Sequence, residues 1–134
     1  MNAAERFIDT NVLLYLLSSD GNKADRAEAE LGGGGILSVQ VINEFASVAL
    51  RKLQLSIAEI REFLATIRTV CGVVPLTEET HDVGLKVVER YGLSVYDAMI
   101  VASALLAGCK TLVTEDMQNG QIFEGKLRVR NPFR

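Results

Sequence analysis

Four acidic residues far apart in this 134-residue chain, Asp9, Glu44, Asp97 and Asp116, are its best candidates for chemistry. Asp97 poses the sharpest question. It is the only carboxylate in the stretch SVYDAMIVASALLAG, residues 94–108, where Val95 to Ala107 are otherwise apolar or small apart from Ser103 and the Tyr96 hydroxyl. A helix of that composition is buried on nearly all sides. An unpaired carboxylate there costs several kcal/mol, so it needs a partner, water or a cation. Several carboxylates meeting in one water-retaining cleft suit a hard divalent cation, Mg2+ or Mn2+, better than zinc.

Other chemistries are poorly supplied. The single histidine, His81, sits between Thr80 and Asp82 in a polar patch and reads as a surface residue. A histidine-rich zinc site is impossible, and a Ser-His-Asp hydrolase would depend on this one residue. Cys71 and Cys109 are isolated and lack metal-ligand spacing, so two buried free thiols are expected. The run Gly32 to Gly35 lacks the Lys-Ser/Thr that follows a phosphate-cradling loop and reads as a flexible helix-to-strand connection.

The elements that must position the carboxylates alternate along the chain. Short apolar runs stand at Phe7-Ile8, Ile36-Leu37, Val73 to Leu76, Thr111 to Val113 and Leu127 to Val129. Amphipathic segments at about 10–17, 22–31, 39–53, 56–70, 77–91 and 95–108 separate them. Strands this short, divided by helices, predict βαβ units around a parallel sheet. The expected fold class is α/β, a three-layer α/β/α sandwich with a short central parallel sheet, over residues 1–134 as one domain. Ser56 and Thr77 are expected N-caps, with a capping box only at Ser56-Glu59. Gly72, Gly92 and Gly108 are placed as helix C-terminal glycines.

On this map the carboxylates converge. Open α/β sheets bind ligands at the carboxyl ends of their strands. Asp9 follows the first strand and Asp116 the fourth, while Glu44 lies less than two turns into the helix after the second. Asp97 is in the first turn of the helix leading into the fourth. Each also has a local explanation. Asp9 suits an N-cap, Asp97 a capping box with Ser94, Glu44 a polar stripe with Gln40, Ser47 and Arg51, and Asp116 a turn. Caps do not explain four carboxylates at one end of a sheet. Two unit charges 4 Å apart repel by about 1 kcal/mol in water and about 4 kcal/mol at an effective dielectric of 20. A bound cation removes that cost.

The segments FIDTNV (7–12), SVQVINEF (38–45), SVYDAMIVASAL (94–105) and TLVTEDMQNGQ (111–121) resemble the PIN domain, and within it the VapC-type toxin ribonucleases. In order and spacing they span nearly the whole chain. The resemblance implies a PIN-like sandwich that cleaves RNA phosphodiester bonds with a divalent metal. It carries the acidic quartet onto Asp9, Glu44, Asp97 and Asp116, and assigns Thr114 and Asn11 to orient them. Asp9 and Asp97 would be direct ligands, with Asp116 and Glu44 on a second metal or its waters; Glu115 alternates away and is left out. The resemblance also implies a homodimer neutralised by a small antitoxin.

Composition sets the remaining bounds. The net charge of −3 gives no global argument for nucleic acid, so RNA binding must use a local basic patch. Lys126, Arg128, Arg130 and Arg134 near the C-terminus, with Arg51 and Lys52 on the Glu44 helix, are the candidates. Hydrophobic content of 49% fits a well-buried fold, yet no run reaches the roughly 18 apolar residues of a membrane span. The opening MNAAERFIDTN lacks a basic leader and apolar run, so a cytoplasmic location is expected. A haloacid-dehalogenase-like phosphatase would show D-x-D where this chain has Asp9-Thr10-Asn11. A receiver domain would place its aspartate after the third strand, where Pro75-Leu76-Thr77 stands. A non-catalytic PIN scaffold binding RNA or protein is the other alternative, and such a scaffold is free to lose acidic positions.

Overall fold

The strand nearest the N-terminus is apolar because both of its faces are covered. In the computed structural model, which describes residues 2–134, Phe7 and Ile8 of β1 (Arg6–Ile8) are fully buried. Such a strand belongs inside a parallel sheet. It pairs in parallel with β2 (Gly35–Ser38) on one side and β4 (Thr111–Val113) on the other. The sheet order is β3-β2-β1-β4-β6-β5, with β3 (Cys71–Val74) at one edge. β6 (Leu127–Arg130) runs parallel to β4, and β5 (Ile122–Phe123) is antiparallel to β6.

The strands step outward from β1 to β2 to β3 and then cross back to β4. Right-handed crossovers therefore put the helices before β3 on one face and those after it on the other. The packing agrees. α1 (Thr10–Tyr15) meets α2 (Gly21–Gly32) and α3 (Val39–Arg51), and α4 (Ile57–Ile67) meets α3. α5 (Glu78–Tyr91) packs along α6 (Val95–Leu106). The closest fit there is at Gly84, where an added Cβ would lie 2.4 Å from Met99 Sδ. Along α6 every residue from Ala98 to Ala104 is buried, as its composition demands. Strand order reverses between β1 and β4, and their carboxyl ends carry Asp9 and Asp116.

Several expectations are corrected. The third strand covers Cys71–Val74 rather than 73–76, because Pro75 has no N–H to continue the ladder. Gly72 lies inside that strand instead of ending a helix, whereas Gly92 and Gly108 do take the left-handed conformation with φ of 70° and 73°. Thr77 also forms a capping box. Its backbone N–H donates to Thr80 Oγ1 at 3.1 Å, a hydroxyl serving where Glu or Gln was required. β5 was not expected, so β6 is flanked on both sides over its first residues.

The glycine run is pinned rather than flexible. Arg6 donates through Nη1 to the carbonyls of Glu30 at 3.0 Å and Gly34 at 2.6 Å, and its Nη2 meets Glu30 Oε1 at 2.7 Å. Gly34 turns the chain with φ +73°, and a Cβ on Gly35 would sit 2.7 Å from Ile8 Cδ1. Cys71 and Cys109 are buried free thiols, and burial pushes Cys109 up to about 11. No helix among the described residues is long and apolar enough to cross a membrane.

Candidate active site

Asp9 prolongs β1 by one residue, its N–H bonding the Val113 carbonyl at 3.0 Å. Its side chain then turns to begin α1. Oδ1 accepts from the Thr10 N–H at 2.7 Å, an N-cap bond, and Oδ2 accepts from the Thr114 hydroxyl at 2.9 Å. The fully buried Thr114 Oγ1 also accepts from Asn11 Nδ2 at 3.0 Å and from the Asp116 N–H at 3.0 Å. A hydroxyl has one proton to give and two lone pairs, so all its capacity is used. Asn11 Nδ2 reaches Asp116 Oδ2 at 3.1 Å, and Asn11 Oδ1 accepts from the Glu115 N–H at 3.3 Å. Thr114 and Asn11 thus couple the ends of β1 and β4.

Glu44 enters from α3. Its Oε2 accepts from the Thr10 hydroxyl at 3.2 Å, and its Oε1 from Gln40 Nε2 at 2.6 Å. The same Gln40 amide donates to the Tyr96 carbonyl at 3.0 Å, tying α3 to the first turn of α6. Ser94 caps that helix by accepting from the Asp97 N–H at 3.3 Å. Asp97 follows, half-buried, between the exposed Tyr96 and the buried run that starts at Ala98.

The electrostatics link all four carboxylates. Burial pushes Asp9 up from 3.8 to about 7, opposed by its hydrogen bonds from Thr10 and Thr114 and reinforced by Asp116 and Glu44. Asp97 is also raised, first by burial and then, against its bond with Ser94, by the same Asp116 and Glu44. No lysine, arginine or histidine enters either balance. As the side chains stand, no three acidic, histidine or cysteine groups among the described residues lie close enough to enclose an ion. The donor chemistry nevertheless fits one: hard carboxylate oxygens, fixed by neutral donors, under mutual repulsion. An ion that keeps several of its waters needs only one or two direct carboxylates.

The sequence matches the family model described as PIN domain over residues 6–119. The chain belongs to the PIN domain family. Its fold is similar to a toxin–antitoxin complex from Klebsiella pneumoniae, with a TM-score of 0.72 at 19% identity, covering 95% of this chain and 97% of that one. It is also similar to FitAcB from Neisseria gonorrhoeae, with a TM-score of 0.66 at 22% identity, over 96% and 98% of the two chains. VapC20 of Mycobacterium tuberculosis, described as a sarcin–ricin-loop-cleaving toxin, gives 0.65 at 18% identity over 80% and 86%. At these identities the likeness concerns the fold. No curated protein matches the sequence.

The basic residues of this PIN domain do not form one group. Arg130 is ion-paired with Glu30, which also holds Arg6. Arg128 is exposed beside it on the same alternation of β6. Lys126 precedes β6, whose amino end lies against Lys110, at the opposite end of the parallel strands from Asp9. Arg51 lies two turns beyond Glu44 and donates to Ser47 Oγ at 3.2 Å. Glu115 does turn away from Asp116: it accepts from the Tyr15 hydroxyl and lies 4.0 Å from Lys23 Nζ. Two contributors escaped sequence reasoning. Gln40, placed four residues before Glu44, had a spacing that marked it as a neighbour; Thr10 had no signal beyond following Asp9.

Proposed function

We propose that this PIN domain is a divalent-metal-dependent endoribonuclease that cleaves RNA phosphodiester bonds, acting as the toxin of a toxin–antitoxin pair. The observation that carries the reading is the convergence of Asp9, Glu44, Asp97 and Asp116 near the strand-order reversal, where Asp116 and Glu44 push both Asp9 and Asp97 upward. Membership of the PIN family supports it, as do toxins and toxin–antitoxin complexes among the similar folds.

Asp9 and Asp97 would hold Mg2+ or Mn2+ directly, with Asp116 and Glu44 on a second ion or on coordinated water. A bound divalent cation acidifies water for attack on phosphorus and offsets charge on the phosphate. Thr114 and Asn11 keep the Asp9 and Asp116 carboxylates oriented. Thr10 and Gln40 do the same for Glu44. No histidine or side-chain nucleophile is required. An acidic cleft repels an RNA backbone until a cation reverses its sign, so exposed Arg128 and Arg51 are proposed to add local attraction. The reading places a homodimer in the cytoplasm, neutralised by a small antitoxin.

The decisive experiment incubates purified protein with RNA in magnesium, in manganese and in chelator, beside Asp9→Asn and Asp97→Asn. Metal-dependent cleavage lost in both variants is the expected result. RNA binding without cleavage under any metal would instead identify a non-catalytic scaffold. Sequencing the RNA ends produced would then define the substrate.

A further inference from the structure

A cavity of about 720 Å³ opens between α3, the start of α5 and the start of α6, and Glu44 forms part of its wall. The acidic site and the cavity are therefore continuous. Its lining surface is mostly apolar, and Leu76, Val95, Tyr96 and Met99 contribute to it. No lysine or arginine lines it. Tyr96 is 73% exposed, which is far more than any other large apolar or aromatic side chain of the described residues. Its neighbour in sequence is Asp97, and its carbonyl shares the Gln40 amide with Glu44. One neutral side chain thus ties the backbone that carries the exposed ring to Glu44.

Two solvent-exposed polar side chains, Asn43 and His81, face this space. Among the described residues neither the Asn43 amide nor the His81 imidazole makes a hydrogen bond. A phosphate does not suit a cavity with no basic residue and a glutamate in its wall. A flat, neutral, hydrogen-bonding group does. An RNA chain presents such a group beside every phosphate, because its unstacked bases lie on aromatic faces and are read along their edges.

We infer that this cavity receives an unpaired nucleobase next to the scissile phosphate, stacked on Tyr96 and met at its edge by Asn43 and His81. The inference deepens the ribonuclease reading and rests on it for the choice of RNA as ligand. It makes the enzyme selective for single-stranded or looped RNA, since a base inside a duplex is not free to enter. The competing occupant is a basic, apolar peptide segment, for which the same walls and Glu44 would serve.

The test measures binding of a mixed-sequence single-stranded decaribonucleotide by fluorescence anisotropy, beside the same strand in a duplex. The proteins are wild type, Tyr96→Phe and Tyr96→Ala, with equal melting temperatures verified first; the exposed ring makes that equality expected. A second decamer pool carrying 5-iodouridine is photo-crosslinked and the attachment site mapped by mass spectrometry. Tyr96→Ala should weaken single-strand binding about five- to a hundredfold, the range of one lost base stack, while Tyr96→Phe stays near wild type. Crosslinks should fall on Tyr96. Unchanged affinity in Tyr96→Ala, or crosslinks confined to other faces, overturns the inference even if the enzyme cleaves RNA. Loss of affinity for an arginine- and leucine-containing peptide in Tyr96→Ala, without loss for RNA, reassigns the cavity to a peptide and also overturns it. Tyr96-dependent binding by a protein that cleaves nothing in either metal leaves the base site standing and removes the ribonuclease reading alone.

Discussion

Arg6 and Asp9 stand three residues apart on one strand and its extension, and the protein treats their charges in opposite ways. Around Arg6 the chain supplies its own compensation. Glu30 lies between Arg6 and Arg130, with side-chain exposures of 8% for Arg6 and 14% for Glu30. Around Asp9 it supplies neutral donors but no countercharge: buried and facing Asp116 and Glu44, this carboxyl is pushed up to about 7. The first arrangement closes a structure and the second leaves charge for something from outside to complete. Burial of charge is a stability device only where the partner comes from the same chain. Where repulsion is held in place by neutral donors such as Thr114, Asn11 and Gln40, the arrangement supports the proposed metal site.

The largest effect is expected at the open site. Asp9→Asn and Asp97→Asn should each reduce RNA cleavage to background, measured as initial rate in saturating magnesium or manganese. Near-normal turnover in either variant would make the cluster a structural accident.

Stability should then separate the two regions by sign. Glu30→Ala leaves the buried Arg6 guanidinium without its carboxylate and should cost about 3 kcal/mol in denaturant unfolding. Asp9→Asn, in metal-free buffer, removes repulsion and should leave the midpoint unchanged or raise it. Equal loss of stability in both variants would mean that Asp9 is compensated as Arg6 is.

Thr114→Val probes the neutral scaffold. It removes the donor to Asp9 and the acceptor for Asn11 and the Asp116 N–H, so cleavage should drop about 10- to 100-fold. The loss should appear together with weaker metal affinity, read by titrating activity against magnesium.

The raised carboxyl of Asp9 carries a pH dependence with a definite sign. Between its ordinary 3.8 and about 7 the folded state holds a proton that the unfolded state has released. Metal-free stability should therefore fall as pH rises through that window and level off above it. Adding a divalent ion above pH 7, at ten times its Kd, should restore about 1.4 kcal/mol. A melting temperature flat from pH 4 to 7.5 and indifferent to metal would contradict both the burial of Asp9 and the shared site.

The smallest effect concerns the basic strand. Arg128→Gln should reduce the dependence of log affinity for RNA on log salt by about one, with single-turnover cleavage at saturating RNA unchanged. Arg130→Gln should show its main effect on stability, through Glu30. Equal salt effects from both would mean that Arg130 leaves Glu30 when RNA binds.

Much of this was legible in the chain because it is written locally. A carboxylate that ends an apolar run, as Asp9 does after Phe7-Ile8, marks the carboxyl end of a strand wherever that strand lies. Ser94 three residues before Asp97 marks a helix start, and the all-apolar course of the following turns demands burial. Pro75 stops the third strand earlier than apolarity alone suggests, and Thr80 completes a box that a search for Glu or Gln passes over. β5 escaped because two residues, Ile122 and Phe123, are too short to show alternation. The glycine run looked flexible because glycine carries no sign of what holds it. Its anchors, Arg6 and Ile8, lie more than twenty residues upstream.

What the sequence determined by itself was the alternation of strands and helices, the caps, and the places where four acids leave those elements. Each depends on neighbours within a few residues, where backbone geometry and side-chain period act directly. Tertiary structure alone decided which charges are compensated. Glu30 meets Arg130 across 100 residues only because β6 lies beside β4 and β4 beside β1. The same sheet order sets Asp116 beside Asp9, and the desolvation that raises Asp9 exists only when Thr114 and the helices close over it. Charge compensation and desolvation are properties of distance in space, and distance along the chain does not contain them.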